Sequence, residues 1–559
     1  MRSLRRVVVL WVLLIFVLTA CGEAAAPFGA TSVPATPSST PTLLPDGTRV
    51  LIAPAPFNPP AVDDEQRLVM TGSTSGPVTL DPALLRDAGA AFLARQVFRG
   101  LVRLDNDLQV QPDLAERVEI SANGLEYTFT LRAGATFQDG TPLNAAAVAA
   151  SLDRACDPEL AGGDGFALPA AIYLIDILGA RERLAGQADE IAGIQIVDDV
   201  TLRITLERPV ASFLFKLAGS PGWVVDTNTA TGTNWWREPN GSGPFKVEQL
   251  KDDGSIVFSG WDGFWGGAPG LDEIVIRGGV DALQPLNQYE AGDIDITSVP
   301  FYAVDRVLSP SDRLHPDLVV VEQLSTTFIT LNVGAAPYDD ADLRRALLAA
   351  FDRRKVAEVM FDGKVRLAEG LVPPGILQRD WPAEYPAVDS RAAAAIAASG
   401  EIAQRPRLFE PGGGISSAFR QVLLRDAGLE VDAIDVEWPV FADLLTTGRL
   451  PACVLTWIAD YPDPANFLTA MFRTGSPDNY MRYSNPEFDA LVDDAEVEPD
   501  EARRAELYLA AQQLLIDDGV LLPLYHDVDY TLVKPWVHGL TITPIGILSL
   551  EDVWIAGSR

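Results

Sequence analysis

The stretch T-W-I-A-D-Y-P-D-P, from Thr456 to Pro464, puts two carboxylates beside two aromatic rings at the end of an apolar run. A carboxylate in that setting either caps a turn or waits for a cation supplied by a ligand. Asp463-Pro464 has the form of a helix N-cap followed by proline at the first helical position, leading a helix that buries Phe467, Leu468, Met471 and Phe472. Asp460 does not fit that cap. It follows Pro451 to Ile458, which is apolar enough for a buried strand, and carboxyl ends of strands are where α/β sheets present ligand-binding groups.

Other chemistry is thin. The three histidines, His315, His526 and His538, have no metal-ligand spacing. No phosphate-binding G-x-x-x-x-G-K-[ST] motif occurs. G-S-T-S-G at Gly72 to Gly76 lacks the central serine of a nucleophile elbow, and Gly241-Ser242-Gly243-Pro244 reads as a turn. Acid pairs such as Asp198-Asp199 and Asp517-Asp518 read as solvated turns and helix ends in so acidic a chain. No catalytic constellation assembles, and neither a metal nor a cofactor is expected.

The elements that must position Asp460 come from a chain of 559 residues, 48% hydrophobic, enough for two or three domains. The net charge of -34 argues against a nucleic-acid partner. Y-T-F-T-L at Tyr127 to Leu131 and T-L-R-I-T-L at Thr201 to Leu206 alternate as strands. Leu143 to Ala155, Asp340 to Met360 and Glu498 to Asp518 read as helices, the second with Leu343, Leu347, Ala350 and Phe351 on one face. Interleaved strands and helices predict a mixed α/β architecture.

Arg2, Arg5 and Arg6 precede an apolar run from Val7 to Leu18. At ~1.5 Å per residue this run spans roughly 18 Å, too short for a ~30 Å hydrocarbon core, so residues 1–20 read as a secretory signal. Leu18-Thr19-Ala20-Cys21-Gly22 is similar to a bacterial lipobox, which makes Cys21 the lipidated N-terminus and the membrane a partner through its acyl chains. Residues 21–65, rich in Pro, Thr, Ser and Ala, read as a tether to a fold beginning near Gln66. Cys156 and Cys453 then remain, read as buried unpaired thiols.

Pro112 to Val148 (P-D-L-A-E-R-V-E-I-S-A-N-G-L-E-Y-T-F-T-L-R-A-G-A-T-F-Q-D-G-T-P-L-N-A-A-A-V) resembles the signature of the family 5 solute-binding proteins, the peptide-type receptors of ABC importers. Further matches follow in the family's order: T-L-D-P at Thr79, G-S-G-P-F at Gly241, W-D-G-F-W-G-G-A-P-G-L-D-E-I at Trp261, G-D-I-D-I at Gly292, D-L-R-R-A-L-L-A-A-F-D-R at Asp342, W-I-A-D-Y-P-D-P at Trp457 and L-L-P-L-Y at Leu521. The resemblance implies a bilobal, periplasmic-binding-protein-like α/β fold of the large type II variety, with mixed sheets and a ligand cleft between lobes. Transposed onto this chain, the first lobe takes 66–85, 195–282 and 525–559, an inserted domain 86–194, and the second lobe 283–524. It further implies that Asp460 pairs with a peptide's α-ammonium group, that Trp457 forms a pocket wall, and that Ala88, beside Asp87, and Thr327-Phe328 approach the ligand. Tyr461 faces either cleft or core.

The implied role is a monomeric receptor without catalysis. It captures peptides by lobe closure on the outer face of the cytoplasmic membrane and delivers them to permease subunits. One departure bears on the ligand. Some relatives carry a basic residue three before the motif's Trp, meeting a peptide carboxylate, whereas this chain has Val454. An oligosaccharide or other non-peptide solute is the alternative within the family. A lipid-anchored hydrolase and a signalling receptor are the alternatives outside transport.

Overall fold

Three sheets organise the chain, and each is built from segments far apart in sequence. In the computed structural model, residues 41–557 are described, apart from residues 57, 61, 63, 73–75, 165–167, 280–283, 401 and 403. Residues 1–40, with the signal and Cys21, lie outside the described residues.

The first sheet has seven strands, in the spatial order Phe245–Leu250, Ile256–Gly260, Glu273–Arg277, Arg67–Thr71, Ile296–Ser298, Val528–Val533 and Leu318–Glu322. Arg67–Thr71 runs parallel to Glu273–Arg277, and Val528–Val533 runs antiparallel to both of its neighbours. Helix Ala88–Val97, capped by the Asp87 side chain on Ala90 N–H at 2.8 Å, packs Ala90, Ala94 and Val97 against Leu68 and Phe245 of this sheet.

The second sheet is wholly antiparallel: Thr42–Leu43, Arg49–Ile52, Ala115–Ile120, Glu126–Leu131, Thr201–Thr205 and Ile194–Asp198. It forms the inserted domain. The third has six strands, ordered Arg366–Leu367, Leu521–His526, Ser325–Leu331, Ala452–Ile458, Arg407–Glu410 and Asp432–Asp435, and carries the second lobe. The two-lobed mixed α/β architecture expected of the family is thus present.

Sheet membership moves the expected boundaries. The fold begins ahead of Gln66, because Arg49–Ile52 pairs with Ala115–Ile120 and buries Val50 and Leu51 after a turn at Gly47. The inserted domain therefore includes part of the segment read as tether, and runs on to Thr205. Helix Ala88–Val97 belongs to the first lobe instead. The chain leaves the first lobe after Glu322 and returns at Asp527, so Ile296–Ser298 and Leu318–Glu322 are first-lobe strands. The two crossings lie side by side, with Gln323 N–H donating to Asp527 O at 2.9 Å, and Ser325 Oγ donating to Asp527 Oδ2 at 2.9 Å. Hinges are a few loop or element-terminal residues, and Gln323 and Asp527 both stand at strand ends.

Several local expectations hold. Asn144 caps helix Ala145–Ala155 and Asp500 caps helix Glu501–Asp517. The helix expected over Asp340 to Met360 is broken instead: Ala341–Ala349 ends, and Asp352 caps a new turn on Arg354 N–H at 3.2 Å. Cys156 and Cys453 are buried and unpaired, and burial pushes the Cys156 thiol up to about 12. Among the described residues no helix is long and apolar enough to cross a membrane, and no group of acids, histidines and cysteines has the makings of a metal site.

Candidate ligand cavity between the lobes

Strand Ala452–Ile458 sits in the middle of the second-lobe sheet, paired residue for residue with Ser325–Leu331. Pro462 and Pro464 end it, since proline cannot donate to a ladder. Asp460 and Asp463 then separate. Asp463 is 1% exposed, accepts Ala465 N–H at 2.9 Å as the cap of the turn Pro464–Asn466, and pairs with Arg504 at 2.8 Å. The cap is as expected, but it opens a short turn, and helix Thr469–Phe472 follows separately.

Asp460 points into a cavity of about 390 Å³ between the lobes. The first lobe supplies Ala88, Phe92, Arg95, Trp223 and the segment around Ile545, the inserted domain supplies Tyr173, and the second lobe supplies Ile458, Ala459 and Asp460. Asn466 holds the acid in place. Its Nδ2 donates to Asp460 Oδ2 at 3.0 Å, while its Oδ1 accepts both Asp460 N–H at 3.1 Å and Trp457 Nε1–H at 3.0 Å. Asp460 is open to the solvent of the cleft, yet crowded by protein on every side. That crowding raises its carboxyl above the ordinary value, against the opposing pull of hydrogen bonds from Asn466 and Tyr173 and the field of Arg95. Asp478, whose carboxylate accepts Tyr480 O–H at 2.7 Å, lies close enough to feel Asp460, and burial together with that charge raises it to about 6.

The remaining candidates are placed as follows. Ala88 lines the cavity at the first turn of its helix. Trp457 is half-buried, holding Asn466 behind Asp460 and packing against the core, and is not among the lining residues. Tyr461 faces the core, 1% exposed, stacked on Phe215 and edge-on to Tyr173. Phe328 is a core residue, because every side chain of Ser325–Leu331 is covered on both faces of a central strand. Thr327 is buried too, its hydroxyl bonded to Thr456 Oγ1 at 2.7 Å. Val454 packs in the second-lobe core. Asn466, Tyr173 and Arg95 were not singled out from the sequence. Asn466 alone carried a local signal, six residues after Asp460 and two beyond the motif, whereas Tyr173 and Arg95 reach the cavity only through the tertiary fold.

Two lobes on three sheets, adjacent strand crossings between them and a cavity at their interface are the architecture of a ligand-trapping binding protein. The family model described as "Bacterial extracellular solute-binding proteins, family 5 Middle" matches residues 109–479, and the chain belongs to that family. The dipeptide-binding protein DppE of Bacillus subtilis is 25% identical over 514 residues, covering 87% of this chain and 91% of that protein. The probable deoxycholate-binding periplasmic protein YgiS of Escherichia coli is 28% identical over 515 residues, covering 88% and 93%. The structure of the Escherichia coli murein tripeptide binding protein MppA superposes with a TM-score of 0.78 at 25% identity, covering 89% of this chain and 99% of that one.

Proposed function

We propose that this protein is the receptor of an ABC importer that captures peptides outside the cytoplasmic membrane and hands them to the permease. The observation carrying the peptide reading is Asp460, a carboxylate fixed by Asn466 and aimed into the interlobe cavity. A free α-amino group is the one cation every peptide offers, and a charge-assisted bond to it ignores side-chain identity. Capture proceeds by rotation about the paired crossings at Gln323 and Asp527, closing Asp460 of the second lobe over ligand held against the first. The protein binds without turnover and acts as a monomer. Cys21, after removal of residues 1–20, anchors it by lipid to the outer face of the membrane.

A non-peptide amphipathic solute is the second reading, favoured by apolar walls such as Phe92, Ile458 and Ile545 and by a family relative named for deoxycholate. Native mass spectrometry of the purified protein decides between them. Peptide masses released on denaturation support the first reading, and a single non-peptide mass overturns it. N-acetylated peptides that bind as well as free ones would remove Asp460 from the site.

A further inference from the structure

Arg95 is the one cationic side chain among the described residues lining the cavity. It makes no ion pair with any described residue, and its guanidinium instead lies over the Trp223 ring, 5.3 Å from the centroid. Trp223 is itself fixed, donating Nε1–H to Ala218 O at 3.0 Å, so the guanidinium rests on a rigid face. Arg95 sits in the last turn of helix Ala88–Val97, where the helix dipole favours a cation. A half-buried cation without a counter-charge is costly, and burial together with the nearby Arg99 pushes Arg95 down to about 10. Asp460 lies on the opposite wall and feels Arg95, yet the two do not close into an ion pair. The remaining charged lining residue, Asp529, is a second acid that accepts Thr531 Oγ1–H at 3.3 Å.

We infer that Arg95 is a specificity-determining residue that holds the carboxylate of a short zwitterionic peptide, taking from the first lobe the role that Val454 cannot fill in the second. The planar fork matches a carboxylate bidentately, and Arg95 lines the cavity while resting over the Trp223 ring. With Asp460 taking the ammonium end, each ligand terminus is bound by a different lobe, so a zwitterion of matching length bridges the cleft. A cavity of about 390 Å³ suits two or three residues, and the apolar side chains between its charged poles favour apolar ligand side chains. The inference rests on the peptide reading above.

The test is calorimetry of the purified protein with apolar di- and tripeptides, each as free acid, C-terminal amide and N-acetyl derivative. Amidation weakens binding to wild type by about tenfold or more. Arg95→Gln weakens the free acid similarly and binds acid and amide alike, while Arg95→Lys recovers part of the loss. Equal binding of acid and amide by wild type overturns the inference. So does Arg95→Gln holding the free acid as tightly as wild type, or failure of every short free acid to bind. Should Arg95→Gln lose its melting transition, the wild-type comparison of acid and amide alone decides. Long or amidated peptides that bind through Asp460 while short free acids do not would sink the Arg95 inference and leave the peptide reading standing. The reverse pattern, with N-acetylation harmless and amidation costly, would sink the reading of Asp460 and not that of Arg95.

Discussion

Two regions of this molecule hold charge away from bulk water, and they treat it in opposite ways. At the seam between the inserted domain and the second lobe, Lys216 pairs with Asp176 at 2.9 Å and lies 3.8 Å from Glu496, which Arg208 also meets at 2.6 Å. Burial alone would push Lys216 down, but the two carboxylates outweigh it and hold the ammonium well above its usual range. In the cavity, Asp460 and Arg95 face each other with no ion pair. Saturated charge is architecture, whereas charge left short of a partner at the end of rigid elements is an invitation to a ligand. The same division separates Asp460 from Asp463 within a single motif.

The largest effect should come from breaking the seam. Lys216→Met strands the buried Asp176 carboxylate and leaves Glu496 with Arg208 alone, and should cost about 3 to 5 kcal/mol of stability, read by urea or thermal unfolding. Its affinity for ligand at a temperature where it remains folded should change far less. Asp460→Asn should do the converse. It should weaken binding of free-amine peptides by about 10- to 100-fold, measured by calorimetry, while the empty protein melts no lower than wild type. The reason is that a carboxyl raised on folding makes the folded state bind protons more readily than the unfolded one, so its contribution to stability falls as pH rises through the folded pKa. A clear drop in melting temperature for Asp460→Asn would place that residue with the architecture.

Acidification sharpens the contrast further. Pairing with an ammonium needs the ionised acid, so affinity should be complete above the pKa of Asp460 and decline as pH falls through it. Because burial raises that pKa, the decline should start above the pH expected for an ordinary carboxylate, and Asp460→Asn should flatten the profile. The smallest effect is expected at Trp457→Phe. It removes one bond to Asn466 and should cost affinity only a few-fold.

How much of this could be read from the sequence depended on range. Periodicity and caps are local, so helices Ala145–Ala155 and Glu501–Asp517, strand Ala452–Ile458 and the Asp463 cap were all readable. The resemblance to the family supplied the bilobal plan and pointed to Asp460. The start of the fold was not readable, because Val50 and Leu51 acquire meaning only against Ala115–Ile120. Nor were the lobe crossings, since Leu318–Glu322 looks the same whichever sheet it joins. Thr327 and Phe328 illustrate the same limit: they lie within a central strand whose two faces are both covered, so proximity to a ligand in sequence terms became burial in the fold.

The two buried thiols have a practical consequence. Burial holds Cys156 up to about 12 and raises Cys453 as well, so at neutral pH neither offers thiolate to an alkylating reagent. A single cysteine introduced on the rim of the cleft would therefore be the one reactive thiol among the described residues, and a fluorophore attached there would turn lobe movement into an optical signal.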